Sequence, residues 1–259
     1  MPTYNRLRLD PSTGKVSSRI LEESVSSFFR QDYPNKHLLI LADTPGQVLN
    51  VDLDGLPQDL CTVVNFSERL GSLGEKLNWA INQLEDDTYL TRWDDDDISL
   101  PNRLSLARDR IGDKELLIVQ GWFYEPEPDT LIPEIGTFGF TSDLVKASVA
   151  KRALYATTRN CNEDQLFRAG LRAEVGPEHQ VFQPTIDELH YIYRWSGTGQ
   201  THFSHVSGDT AFAQFEAREI IPGEFVIKPR WHRDYVAYAD EAREKWKLSQ
   251  LKQTDAAGT

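Results

Sequence analysis

Cysteine is almost missing: Cys61 and Cys161 are the only two in 259 residues. That is too few for a disulfide framework or a cysteine zinc cluster. No signal peptide and no apolar run of bilayer length is present, which predicts a soluble, cytoplasmic protein without a transmembrane segment. Positive charge is also scarce. Lys and Arg number 28 against 40 Asp and Glu, giving a net charge of −12 and a pI of about 5.0. This balance argues against broad electrostatic adhesion to nucleic acid or to anionic membranes, although a local set of donors still suffices for one nucleotide. Several catalytic signatures are absent too. The stretch from Gly71 to Lys76 lacks P-loop spacing, with Glu75 where that loop would break. An EF-hand opening at Asp94 would need glycine at Ser99 and glutamate at Ser105. There is no H-E-x-x-H, no G-x-S-x-G and no dinucleotide glycine fingerprint. What the chain does have is a 39% apolar fraction with 10% aromatics, enough for a packed core.

Apolar runs alternate with amphipathic stretches. Residues 1–4 read as the end of a first strand, followed by a polar loop over 5–16. Ile20, Leu21, Val25, Phe28 and Phe29 recur at helical spacing until Tyr33-Pro34. Residues 37–42 suit a strand buried on both faces, and 60–66 another. Leu73, Leu77, Ile81 and Leu84 mark a helix, after which 88–93 reads as strand again. This order predicts an α/β fold with a mostly parallel, Rossmann-like sheet flanked by helices and right-handed crossovers. Further on, the pattern predicts a helix over 101–111, a strand over 116–122, an irregular loop over 125–133 and a short strand over 136–140. Helices near 142–152 and from 162, a strand over 189–195 and a charged helical tail over 239–259 complete the reading. We divide the chain into a nucleotide-binding half (1–110), an acceptor-side catalytic half of the same domain (111–205) and a C-terminal extension (206–259). The tail is a candidate contact for a homo-oligomer.

The feature hardest to explain as scaffold is the run Asp94-Asp95-Asp96-Asp97 behind the 88–93 stretch. Neighbouring carboxylates repel by about 1 kcal/mol in water and by roughly 4 kcal/mol near a protein surface. Open solvent, raised pKa values or a bound cation would offset that cost, and hard cations such as Mg²⁺ and Mn²⁺ favour carboxylate oxygens. Asp43 and this run both follow strands. Both therefore fall at the carboxyl edge of a parallel sheet, where such folds bind ligands. Asn162-Glu163-Asp164 opens a helix. Ordinary capping explains it, while the catalytic reading makes Asp164 a general base supported by Glu163. His202, after a glycine-bearing turn, is either an exposed turn residue or a metal ligand through a neutral ring nitrogen; His190 and His205 are weaker candidates. Trp122 and Tyr124, at the start of the irregular loop, are candidates to stack on a sugar.

In this order, these residues resemble the family 2 glycosyltransferases of the GT-A fold. The opening Met1-Pro2-Thr3-Tyr4-Asn5-Arg6 is similar to that family's first strand and nucleotide loop. The sequence SVSSFFRQDYP from Ser24 is similar to its first helix and Q-x-Y-P turn. Leu39-Ile40-Leu41-Ala42-Asp43, then Lys76-Leu77-Asn78, the run from Trp93 to Asp97 with Pro101, and Asn162-Glu163-Asp164-Gln165 follow in register. The resemblance implies that Thr3, Tyr4 and Asp43 meet base and ribose, within a donor site that also includes Pro2, Arg6 and Asp95. Lys76 would reach the diphosphate. Asp94 would hold ribose or metal, Asp96 would ligate Mn²⁺ or Mg²⁺ with Asp97 as its substitute, and Asp164 would be the catalytic base. It further implies a metal-dependent, inverting transfer of a sugar from a UDP- or GDP-type nucleotide sugar to a hydroxyl acceptor such as a carbohydrate. Through such an acceptor the protein would sit at the membrane periphery. A sugar nucleotidyltransferase, or a non-catalytic nucleotide- or sugar-binding module, is the alternative.

Overall fold

The structure is a computed structural model that describes residues 1–9, 14–127, 130–134, 141–158, 163–194 and 219–257, with side chains 122–124, 126–127, 130, 132–134 and 253–257 left aside. The short strand read at 136–140 lies outside the described residues.

Strand β1 (Pro2–Thr3) leads to a small antiparallel pair, β2 (Arg8–Leu9) and β3 (Val16–Ser17), inside the stretch read as loop. Helix α1 (Arg19–Phe29) follows, then β4 (Leu38–Ala42), β5 (Gln47–Val51), β6 (Cys61–Asn65) and α2 (Leu73–Asn82). Strands β1, β4 and β6 form a parallel sheet in that order, with Thr3 opposite Ala42 and Ala42 opposite Asn65. Helix α1 lays Leu21, Val25 and Phe28 onto Leu38, Ile40 and Trp93, as its i, i+4, i+7 spacing requires. The polar residues Glu22, Glu23, Ser24, Ser26 and Ser27 are buried as well. A helix buried on both faces has a second neighbour, here the aspartate run.

The expected strand over 88–93 is shorter and differently placed. Only β7 (Tyr89–Leu90) forms, and it pairs antiparallel with β12 (Leu144–Lys146) in a sheet ordered β13–β9–β12–β7. The backbone leaves the ladder because Trp93 turns into the α1 core, donating its indole N–H to the Ser24 carbonyl at 3.1 Å. In that sheet β9 is Leu116–Val119 and β13 is Gln180–Phe182. After the aspartates come β8 (Ile98–Ser99) and α3 (Arg103–Ile111).

The stretch read as an irregular loop is instead a hairpin of β10 (Trp122–Glu127) and β11 (Thr130–Glu134). Prolines misled the reading, but Pro133 sits on the edge strand and Pro126 at a register shift, both positions that tolerate a missing N–H. Strand β10 continues onto β14 (Tyr191–Arg194) and β8. Helix α4 (Ala147–Ala153) begins only after β12, and α5 spans Glu163–Val175. The C-terminal segment returns to the first half. Its β15 (Gly223–Ile227) pairs in parallel with β5, and α6 (Tyr235–Ala257) packs Tyr235 and Ala239 on Ile98, Leu189 and Ile192. No described helix is long and apolar enough to cross a membrane.

Two clasps hold α2 against the segment after α4, and α5 against β9. On α2, a Cβ at Gly74 would stand 2.0 Å from the Ala156 carbonyl oxygen, so only glycine permits this approach. One turn later the Asn78 amide grips both backbone groups of Tyr155, at 2.9 and 2.7 Å. Arg168 on α5 forks onto buried Asp143 with both contacts at 2.6 Å. The same guanidinium donates to the Val119 carbonyl of β9 at 3.1 Å. The first turns of α5, and Asp164 with them, are thereby held against β9.

Candidate active site

At the carboxyl ends of β1 and β4, Thr3 and Asp43 are both buried. Lys76, in the first turn of α2, turns inward between them. Its ammonium donates to the Asp43 carboxylate and, at 3.1 Å, to the Thr3 carbonyl. Burial makes that ammonium give up its proton more readily than a free lysine, and Asp43 offsets only part of the effect. Asp43 also accepts from the Leu70 N–H at 3.2 Å. The resemblance gave Lys76 to a diphosphate; its contacts here are with the Asp43 carboxylate and the Thr3 carbonyl. Beside it the Arg69 guanidinium covers the Tyr4 ring at 4.0 Å from the centroid. Pro2 is buried on β1 opposite Leu41.

The aspartate run is buried, with relative exposures of 8%, 5%, 3% and 2% from Asp94 to Asp97. Open solvent therefore does not relieve its repulsion. Guanidinium groups do. Arg6 forks onto Asp95, with contacts of 2.9 and 2.6 Å, and reaches Asp96 at 2.6 Å. Burial opposes its charge, but these two carboxylates more than compensate and hold its proton tighter than usual. Arg92 donates from Nε to Asp94 at 2.5 Å. Tyr191 gives its hydroxyl proton to Asp97 and lies 3.1 Å from Asp94. The Arg194 N–H donates to Asp97 at 2.8 Å, while its side chain binds the Asp96 carbonyl and Glu23. Ser24 of α1 donates to the Asp94 carbonyl at 2.5 Å, so the helix fixes the loop's backbone. Below the loop, buried Arg103 lies over the Trp93 and Tyr191 rings, 4.6 and 5.1 Å from their centroids.

On the far side, Asp164 lies in the first turn of α5, and the second arm of the Arg92 guanidinium binds its Oδ1. Burial pushes the Asp164 carboxyl above the ordinary aspartate range; Arg92 works against the shift and Asp94 adds to it. Glu163 is likewise raised, first by burial and then by Asp164. Its Oε2 is buried with no hydrogen-bond partner among the described residues.

The other candidates separate from this cluster or fall outside it. His190 is buried with Nδ1 on the Glu188 carbonyl at 2.9 Å, and burial drops its pKa to about 4, so it is a neutral packing residue. Asn162, His202 and His205 lie outside the described residues, as do the side chains of Trp122 and Tyr124. The backbones of those two pair with Glu134 and with Tyr193, respectively. Among the described residues no three His, Cys, Asp or Glu side chains converge as a metal-ligand set. The donors nevertheless suit a hard cation. Asp94 and Asp96 offer only oxygens, and each carboxylate oxygen has two lone pairs, so a guanidinium contact does not exhaust it. Arg92, Tyr191, Arg194, Arg69 and Ser24 were not anticipated. Of these only Arg92, two residues before the run, carries a signal in the sequence.

No curated protein sequence matches the chain. Among solved structures, residues 1–349 of TarS from S. aureus align with a TM-score of 0.55 and 17% identity, covering 77% of this chain and 60% of that one. The same protein in complex with UDP-GlcNAc gives 0.54 and 16%, over 85% and 60%. In complex with UDP it gives 0.52 and 16%, over 83% and 67%. The chain thus spans about 60% of the length of the first two structures, and the likeness shows a shared GT-A-type α/β fold. The sequence profile described as "Glycosyl transferase family 2" matches residues 1–162. Because that match covers well over half of the chain, the protein belongs to glycosyl transferase family 2.

Proposed function

We propose that this chain transfers a sugar from a nucleotide-diphosphate sugar to a hydroxyl acceptor, with inversion at the anomeric carbon and with Mn²⁺ or Mg²⁺ bound. The observation that carries this reading is the joint placement of Asp94 and Asp164 on one guanidinium, with the donor-side residues on one flank and the start of α5 on the other. The TarS complexes with UDP-GlcNAc and UDP favour a UDP-type donor. Thr3, Tyr4 and Asp43 would receive base and ribose, with Arg69 and Tyr4 as stacking surfaces for the ring. Asp94 and Asp96, with Asp97 in reserve, would hold the cation. When bound, it stabilises the charge that develops on the leaving diphosphate.

Asp164 would take the acceptor proton. Arg92 occupies its Oδ1, which leaves Oδ2 for the incoming hydroxyl. A base on the face opposite the leaving group directs attack from behind, and inversion follows. Glu163, raised in pKa beside it, would complete the polar wall of the acceptor side together with the β10–β11 hairpin that carries Trp122 and Tyr124. The donor half (1–110), the acceptor half (111–205) and the extension (206–259) would divide the work.

The test is a thermal-shift panel of UDP, GDP, CDP and ADP with and without Mn²⁺, followed by nucleotide release from the matching nucleotide sugar. Stabilisation by one diphosphate, with release lost in Asp96→Ala and slowed on the order of a hundredfold in Asp164→Asn, is the expected result. Equal loss of donor affinity and turnover in Asp164→Asn would remove it as the base.

A further inference from the structure

The Arg92 side chain touches both flanks of the site. Its Nε is 2.5 Å from Asp94 Oδ1 and its Nη1 binds Asp164 Oδ1, carboxylates separated by 70 positions in the chain. Neither end of the bridge is loose. Asp94 is held through its carbonyl by Ser24 at 2.5 Å, and the Tyr191 hydroxyl oxygen, bound to Asp97, packs 3.1 Å from its other carboxylate oxygen. Asp164 stands on a helix fixed by the Arg168–Asp143 fork. The Arg92 backbone is anchored as well: its carbonyl accepts from Arg103 Nη2 at 2.6 Å. That guanidinium is gripped in turn by the Thr141 carbonyl at 2.5 Å and by Ser99 and Thr91 hydroxyls at 2.7 and 3.1 Å.

We infer that Arg92 is a positioning residue, which on the reading proposed above sets the acceptor-activating carboxylate of Asp164 against the donor-holding carboxylate of Asp94. A planar fork with donors at fixed angles can hold two carboxylates at a fixed separation, whereas an ammonium is a single point charge on a flexible stem. Displacing a reacting group by about 1 Å costs on the order of a hundredfold in rate. By binding Oδ1, Arg92 also presents Oδ2 to the acceptor. The competing account is that Arg92 merely neutralises two buried acids. In that case any cation of similar reach would serve, and substitution would lower stability without a specific loss of turnover.

The experiment uses the full chain, the nucleotide diphosphate that stabilises it most, and release of that nucleotide from its nucleotide sugar. Arg92→Lys keeps the charge, and a cooperative melt checks that it keeps the fold. We expect its turnover to fall at least tenfold while the nucleotide Kd and the KM for the nucleotide sugar stay within threefold. In an Asp164→Asn background the same change should slow turnover no further than twofold, because both substitutions act on one base. Arg92→Gln, if soluble and cooperatively melting, should repeat the pattern with a larger loss. Wild-type turnover in Arg92→Lys, or losses that simply multiply in the double variant, would overturn the inference. If Asp164→Asn is slow in that same experiment, the proposed function stands without it. If the wild type binds no nucleotide, or Asp164→Asn turns over normally, the proposed function fails and takes the bridge with it.

Discussion

Replacing Arg6 by Met tests the electrostatics on which the aspartate run rests. The Arg6 side chain is 4% exposed, and its guanidinium serves Asp95 and Asp96, whose side chains are 7% and 4% exposed. Removing one partner of a buried pair costs about 3–5 kcal/mol, because the remaining charge has lost both water and counter-ion. Two carboxylates lose this guanidinium here, so the upper part of that range applies. For a chain of this size each kcal/mol moves the midpoint by roughly 2–4 °C, so Arg6→Met should melt on the order of 10 °C below the parent. Methionine keeps most of the stem's packing, which isolates the charge. The assay is thermal melting by circular dichroism at neutral pH, with and without millimolar Mn²⁺. In the variant the exposed lone pairs of Asp95 and Asp96 become available to a cation, and saturation at a hundred times Kd returns about 2.7 kcal/mol. Mn²⁺ should therefore stabilise Arg6→Met by several degrees more than the parent. A variant melting within about 2 °C of the parent would show that Arg6 does not carry this charge balance. An equal Mn²⁺ shift in both proteins would show that guanidinium and cation do not compete.

Burial raises the Asp164 carboxyl, so the acid limb of turnover should lie above the roughly 3.9 of a free aspartate and vanish in Asp164→Asn, as a pH–rate profile would show. The same shift has a consequence for stability. A carboxyl raised in the folded state contributes stability below its unfolded value and loses it as pH climbs through the folded one. At neutral pH ionised Asp164 is thus a net cost, and Asp164→Asn should melt at or above the parent temperature; a large drop would contradict this. Lys76→Met leaves Asp43, 3% exposed, without its counter-charge and should cost about 3–5 kcal/mol, while Lys76→Met with Asp43→Asn should recover most of it in denaturant titrations.

How much of this was legible in the sequence depends on the range of the interactions. Helix α1 announced itself through Leu21, Val25 and Phe28, and β4 through an unbroken apolar run, because local periodicity encodes which face is buried. Strand 88–93 reads equally well as β by composition, yet Trp93 gains more by filling the α1 core than by extending the ladder. The β10–β11 hairpin was hidden by prolines whose tolerance depends on being at an edge or a bulge, a property of the neighbours rather than of the residue. The pairing of β15 with β5 joins residues 223–227 to 47–51, a contact with no local trace. Within the site, Asp43 and the aspartate run could be placed at a sheet edge by order alone. Their partners could not. Arginine is mostly a surface residue by composition, so nothing marks Arg103 or Arg194 as buried until the fold brings them under the loop.

That hidden set of arginines bears on how a donor would bind. Asp94 to Asp97, Asp164 and Glu23 share the guanidiniums of Arg6, Arg92, Arg103 and Arg194, so four of the six negative charges are offset inside a chain that carries −12. A divalent cation entering alone would add two positive charges beside fixed guanidiniums and gain less than at an unpaired acidic cluster. A nucleotide diphosphate entering alone would set its negative charge against the carboxylates. Together the two nearly cancel, and each removes the cost of the other. Binding should therefore be synergistic, and by linkage the factor is reciprocal: Mn²⁺ tightens UDP by the same ratio by which UDP tightens Mn²⁺. Such couplings are typically about 1–3 kcal/mol, or roughly 5–150-fold. Calorimetric titration of UDP with and without Mn²⁺, and of Mn²⁺ with and without UDP, measures both sides of that cycle. Tight binding of Mn²⁺ to the nucleotide-free parent, undiminished relative to the UDP complex, would mean that the arginines do not balance the aspartates.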